Sequence, residues 1–181
     1  MACNLSSGKL ISCKEQVGGI QEVFFSNAFS TWKGTSTFDA NKQLTDVDPV
    51  TIYRYELKGT GNTIVENIEA SEDNGTIAYT QELTIQLNGL TVSDRIELLN
   101  LAKNRRLIVF VRDNNDNIRM FGWDHGMEVS GGSIENGGSE GDFVGNKLTL
   151  RAMCKAPAFF VESFTTEPFD NIANITVSPA Y

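Results

Sequence analysis

The sequence predicts a mostly β fold, an antiparallel β-sandwich or barrel of about eight strands with one flanking α-helix at roughly residues 92–104. Segments rich in β-branched and aromatic residues alternate with Gly, Asn and Asp turns, and two of these segments have a period of two. One segment alone has the pattern of a helix. With 181 residues, of which 40% are hydrophobic, we expect a single domain over 1–181 with a substantial core.

Residues 76–88 give the clearest strand signal, because apolar and polar side chains alternate along them. The polar side of this strand includes Thr80, Glu82, Thr84 and Gln86, whereas Gln81 interrupts the apolar side. A second alternating segment spans 147–155, and the continuous apolar run at 107–111 predicts a strand buried on both faces. These patterns predict the following core residues: Ile77, Leu83, Ile85, Val109, Leu148 and Leu150.

The helix is predicted to begin at a capping box formed by Thr91 and Asp94. Helical spacing puts a row of apolar residues on one face, and we expect this face to be in the core. The row consists of Val92, Ile96, Leu99 and Ala102. Basic residues follow at the carboxyl end of the helix, where they complement its dipole.

Shorter segments complete the expected sheets, at 20–25, 50–57, 63–70, 118–123 and 126–130, with hairpin turns at 59–62 and 72–75. The glycine-rich residues 131–141 predict a mobile loop. Three segments have little periodicity: an N-terminal arm at about 1–17, a long loop at about 26–49 and a C-terminal arm at about 158–181. Because their composition cannot bury much surface, we expect the arm at 1–17 and the loop at 26–49 to order only on assembly.

Composition argues against several functional classes. The net charge of −8 disfavours a nucleic-acid-binding surface, which would need a basic patch. No apolar run approaches the about 18 residues of a membrane span, and no basic segment followed by an apolar one opens the sequence. We therefore expect that the protein folds in the cytoplasm and does not associate with a membrane. Cys3, Cys13 and Cys154 are then expected to be free thiols.

No set of residues predicts catalysis, a cofactor or a metal site. Asp113, Asn115 and Asn117 have the spacing that opens a calcium loop, but Ile118 stands where the required Gly would be. The single histidine, His125, cannot supply a catalytic zinc site or a triad by itself. We therefore expect no enzyme.

One stretch of the sequence resembles the tail tube proteins of bacteriophages and related phage structural proteins. The resemblance rests on the helix, core strand and Asp/Asn turn at 98–114, followed by 118–129, the Gly/Ser loop, and the segments 141–150 and 155–158. A weaker likeness lies at 13–20, where a Cys precedes a Gly-Gly-Ile start to the first strand. The whole resemblance covers roughly residues 13–160.

The resemblance implies a virion protein, assembled in the host cytoplasm, that forms hexameric rings stacked into a tube. Its partners would be copies of itself, other phage tail proteins, and DNA that passes through without specific binding. On this reading the residues expected to face the channel are Thr80, Glu82, Thr84 and Gln86. Those expected at subunit contacts are Trp32, Phe38, Arg151, Phe164 and Phe169.

Two other functions are compatible with the sequence. The chain could be a different β-rich virion component, which initiates the tube, completes the tail or decorates the capsid. It could also be a monomeric β-sandwich module that binds carbohydrate or another ligand, which would show exposed aromatic residues lining a groove.

Overall fold

The computed structural model describes residues 8–10, 14–89 and 91–179. In this part of the chain there are twelve strands and two helices, which confirms the mostly β prediction but exceeds the expected eight strands and single helix. The elements in order are β1 (Ile20–Ser26), α1 (Phe29–Thr35), β2 (Thr37–Phe38), β3 (Leu44–Asp46), β4 (Val50–Glu56), β5 (Thr63–Ser71), β6 (Thr76–Asn88), α2 (Val92–Lys103), β7 (Ile108–Asp113), β8 (Ile118–Phe121), β9 (Glu128–Asn136), β10 (Val144–Cys154), β11 (Phe159–Phe160) and β12 (Ile175–Ser178).

The strands form two main sheets and one small hairpin. A six-stranded sheet has the order β11-β8-β7-β1-β4-β12, and a four-stranded sheet has the order β5-β6-β10-β9. The hairpin pairs β2 with β3. Neighbouring strands are antiparallel, as expected, except for β12, which pairs with β4 in parallel.

The first core cluster lies between the two main sheets. Val23 and Phe25 of the six-stranded sheet belong to it, and the four-stranded sheet contributes side chains from β6 and β10. Five predicted core residues are buried here: Leu83, Ile85, Val109, Leu148 and Leu150. Period-two alternation therefore identified the buried face of β6 and β10 correctly.

A second core cluster covers the opposite face of the six-stranded sheet, where Phe24 and Phe110 point. Trp32 of α1 packs on Phe110, and its indole Nε1 donates a 2.8 Å hydrogen bond to Ser26 Oγ. The ring of Phe169 meets both sheet residues edge-on, with centroids 5.1 and 5.2 Å away. β7 is therefore buried on both faces, as its apolar run predicts.

The segments predicted as a loop at 26–49 and an arm at 158–181 form this additional layer within one chain. The first contains α1 and the β2–β3 hairpin, and the second contains β11 and β12. Their aromatic side chains are buried against the sheet of the same chain. The expectation that residues 26–49 order only on assembly is corrected, because these residues already pack against the apolar face of the central sheet within one chain.

The predicted orientation of the helix is wrong, although its capping box is present. Leu101 is the buried residue of α2, whereas Ile96 and Leu99 are 54% and 51% exposed. The helix has apolar side chains on two opposite sides, so spacing alone could not decide which side faces the core. Ile77 is also exposed, at 53%, because it lies near the turn of the β5–β6 hairpin, away from the first core cluster.

The glycine-rich loop predicted at 131–141 is partly a strand. Gly131 and Gly132 lie in β9 and pair with β10. A Cβ at Gly132 would lie 2.5 Å from the carbonyl oxygen of Lys147, so the close approach of the two strands requires a glycine here. The turn between the strands is limited to residues 137–143.

The burial difference along β6 gives a matched stability test. Ile85→Ala should lower the free energy of unfolding by about 2–5 kcal/mol, because Ile85 is fully buried. Ile77→Ala removes the same atoms from an exposed site and should cost about 0.5 kcal/mol. Denaturant unfolding of both variants measures the contrast, and equal losses would contradict the placement of β6.

Candidate assembly surface

The four-stranded sheet has one face in the first core cluster and an outer face that points away from it. Thr80, Glu82, Thr84 and Gln86 lie on the outer face of β6, because they alternate with the buried Leu83 and Ile85. Their cross-strand partners in β10 are Met153, Arg151, Thr149 and Lys147, in that order. The four predicted channel residues therefore share one face of one sheet.

These four side chains differ in exposure. Glu82 is exposed, whereas Thr84 and Gln86 are half-buried. Thr80 is buried, and its hydroxyl donates a 2.7 Å hydrogen bond to Glu69 Oε1. The assignment of Thr80 to a water-filled channel is therefore corrected, because a neighbouring carboxylate covers it.

Glu82 and Arg151 were expected on different surfaces, one in the channel and one at a subunit contact. The structure pairs them directly across β6 and β10, so both side chains lie on the outer face. Both are exposed. Any partner that contacts the outer face at this position meets both charges, so the two residues do not lie on separate faces of the sheet.

Charges on the outer face are mixed in sign. The Lys147 ammonium lies 2.8 Å from Glu135 Oε2 of β9, and the Ser133 hydroxyl also donates to this carboxylate. These hydrogen bonds hold the pKa of Glu135 below its usual value. The hydroxyl oxygens of Thr84 and Thr149 lie 3.5 Å apart, and this pair separates Lys147 from the neighbouring pair of Glu82 and Arg151. Among the described residues of this face, Lys147 is paired and Arg151 lies opposite Glu82, so the face lacks the cluster of free basic groups that would capture phosphates.

The two edges of the four-stranded sheet are open. Both edge strands, β5 and β9, have nine residues. Among the described residues, no strand pairs with the outer side of either one. Neither contains Pro or Lys, the residues that commonly protect an edge from pairing with another chain. Their backbone donors and acceptors are therefore available to a further strand.

Gln81 ties this sheet to the rest of the fold. Its side chain is buried, accepts a 2.9 Å hydrogen bond from the Gly122 amide, and donates one of 2.8 Å to Glu66 Oε1. The same Glu66 oxygen accepts a bond from the Ala158 amide, just before β11. The sequence showed Gln81 only as a break in the apolar pattern of β6. That break marks a polar link between the two sheets.

The aromatic residues predicted at subunit contacts belong to the second core cluster. Trp32 and Phe169 are buried within their own chain, so the prediction is wrong for these two. Phe38 is half-buried between the rings of Trp123 and Phe159. Phe164 is half-buried too, with the Arg112 guanidinium 4.9 Å from its ring centroid. Arg151 is the fifth predicted contact residue, and its exposure is compatible with that role.

The calcium-like spacing after β7 forms a turn. Asp113 Oδ1 accepts hydrogen bonds from the amides of Asn115 and Asn117. The carboxylate is therefore engaged by the backbone of its own turn. Asn115 also exchanges two hydrogen bonds with Val17 and so fastens the end of the N-terminal segment. In the described part of the chain, no group of three or more His, Cys, Asp or Glu residues could hold a metal ion.

No described helix is long and apolar enough to cross a membrane.

A groove beside α2 has room for a small ligand. It is lined by Tyr53 and Tyr55 of β4 together with Glu97 and Leu101 of the helix. Burial raises the pKa of the Tyr55 hydroxyl, and the charges of Glu97 and Asp94 raise it further. The groove therefore contains two tyrosines, with Glu97 and Lys103 among the groups that line it.

Comparison of the chain with protein-family models, curated proteins and solved structures finds no match. The functional assignment therefore depends on the surface itself and on the resemblance seen in the sequence.

The link made by Gln81 can be tested by mutation. Gln81→Leu leaves the Gly122 amide without its acceptor and removes one of the two donors to Glu66, so unfolding should become easier by about 1–3 kcal/mol. Glu82→Gln changes the next residue on the exposed face and should alter stability by no more than about 0.5 kcal/mol. Urea unfolding of both variants measures the difference. A Gln81→Leu protein as stable as the wild type would show that the link contributes nothing.

Proposed function

We propose that this chain is a virion structural protein that assembles into stacked rings, forming a phage tail tube through which DNA passes. The observation that carries the proposal is the four-stranded sheet, which has two open nine-residue edges and a polar outer face. The sequence resemblance to tail tube proteins points to the same assembly.

The directions of the edge strands favour ring closure. All pairings in the four-stranded sheet are antiparallel, so strand direction alternates along β5-β6-β10-β9 and the two edge strands run in opposite directions. Copies related by rotation would therefore place β5 of one beside β9 of the next as an antiparallel pair. Such a contact joins two different surfaces and generates a closed ring if the rotation closes. The joined sheets would then form one continuous barrel.

The outer face suits the inner wall of such a barrel. Glu82, Thr84 and Thr149 give it acidic and hydroxyl groups. Of its basic groups, Lys147 is already paired with Glu135, and Arg151 lies opposite Glu82. A wall that captures few phosphates releases few counterions, so DNA would not be held by it. The net charge of −8 acts in the same direction.

The groove at Tyr53 and Tyr55 favours the rival reading, a monomeric ligand-binding module. A ligand-binding module should stay monomeric and should lose binding when Tyr53 is changed. Other virion components, such as a capsid-decorating protein, would assemble with other partners without forming tubes of their own.

An added charge on an open edge tests the ring. Val65 is exposed on β5, so Val65→Lys should leave the unfolding midpoint unchanged but prevent edge pairing. Ser30→Lys adds the same charge at an exposed position of α1, away from the sheet, and serves as the control. Negative-stain electron microscopy at increasing protein concentration should show rings or tubes for the wild type and the control, and single particles for Val65→Lys.

Two outcomes would contradict the proposal. A wild-type protein that stays monomeric at all concentrations would exclude a self-assembling tube. Rings formed equally well by Val65→Lys would show that β5 is not an edge used in assembly.

A further inference from the structure

Two exposed apolar surfaces lie on the core side of the four-stranded sheet. The first, the hairpin patch, consists of Ile68, Ala70 and Ile77 near the turn of the β5–β6 hairpin. Ala70 is the cross-strand partner of Ile77, and Ile68 follows on the same face. Ile68 is 66% exposed, so the patch extends beyond the first core cluster.

The second surface, the helix stripe, consists of Val92, Ile96 and Leu99 of α2. Their spacing of i, i+4 and i+7 aligns them along one side of the helix. At about 100° per residue, this side is opposite Leu101, the residue that α2 buries in the core. The stripe therefore points away from its own chain.

The two surfaces lie at opposite edges of the same sheet. The hairpin patch includes the edge strand β5, and α2 lies beside the other edge strand, where Leu98 and Ala102 line a groove with Val129 and Ile134 of β9. If β5 of one copy pairs with β9 of the next, the patch and the stripe lie on the same side of the joined sheet. Each surface would then cover the other.

Charge also matches the two surfaces. The hairpin turn carries Glu72 and Asp73, and no Lys or Arg occurs from residue 63 to residue 89. The carboxyl end of α2 is followed by basic residues, with Lys103 in its last turn and Arg105 just beyond it. None of these four side chains forms a salt bridge with another described residue.

The ends of the strands put these charges at the same end of the sheet. Arg105 lines a surface with Glu128, the first residue of β9, and Glu128 pairs with Arg151. Arg151 in turn pairs with Glu82, and the hairpin turn lies beyond this pair at the same end of the sheet. A neighbouring hairpin that continues past the start of β9 would bring its acidic turn toward Arg105.

We infer that the hairpin patch of one copy docks on the helix stripe of the adjacent copy, with the acidic turn facing the basic end of the helix. This inference rests on the proposed ring and identifies a second lateral contact beside the paired edge strands. It also gives the exposed apolar residues of α2 a role, because they do not belong to the core of the single chain.

Charge reversal tests the docking. A hairpin variant, Glu72→Lys with Asp73→Lys, and a helix variant, Lys103→Glu with Arg105→Glu, each place like charges in contact. At low ionic strength each alone should need about tenfold more protein for half-assembly, measured by sedimentation velocity. A chain with all four changes restores opposite charges and should assemble like the wild type, as should an equal mixture of the two variants.

The apolar contact is tested separately. Leu99→Gln should weaken assembly about tenfold with an unchanged melting temperature, because Leu99 is half exposed in the single chain. Asn100→Gln, on the next residue of the helix and outside the stripe, is the control and should assemble normally.

Failure of this inference is distinguishable from failure of the ring. If the charge-reversed and Leu99→Gln proteins form rings as readily as the wild type, the docking is overturned while the ring stands. If both charge-reversed variants assemble poorly and neither the four-change chain nor the mixture regains normal assembly, the charges do not face each other. The docking is overturned in this case too. A wild type that never assembles would overturn both.

Discussion

The central six-stranded sheet has apolar side chains on both of its faces, and both faces therefore have to be covered. Phe25 and Val109 point to one side, and Phe24 and Phe110 to the other. Burial of aromatic side chains of this size contributes several kcal/mol. The four-stranded sheet covers the first side, and the segments around α1 and β11 cover the second.

This double burial determines which surfaces are left over. The covering segments use most of their aromatic residues on the central sheet, so they offer little apolar surface for other copies. The four-stranded sheet, in contrast, is covered on one face and keeps two edges and a polar outer face. The apolar residues that remain exposed in the hairpin and on α2 flank those edges. A lateral assembly through the edges would account for both features.

The sequence predicted the fold class and the buried side of the long strands, because alternation follows directly from strand geometry. It could not show that Trp32 and Phe169 are buried, because isolated aromatic residues in irregular segments have no period that identifies a partner. The orientation of α2 was wrong for a related reason, since Leu99 and Leu101 are equally apolar and tertiary packing chose between them. Gly131 and Gly132 favoured a loop, yet pairing with β10 places them in a strand.

For the candidate site, the sequence identified the polar face of β6 but not its neighbours. Glu82 and Arg151 were assigned to different surfaces because their pairing depends on sheet order, which local pattern does not contain. The open edges follow from sheet order as well. Gln81 shows that a break in a pattern can mark a structural link, here a hydrogen-bonded bridge between sheets.

The most direct test of this account is an electron cryomicroscopy reconstruction of the assembled protein at a resolution that separates strands. The account predicts that β5 of each copy pairs in the antiparallel direction with β9 of the next, with Glu82 on the inner wall. A reconstruction in which β5 remains unpaired, or in which the outer face of the four-stranded sheet points outward, would contradict it.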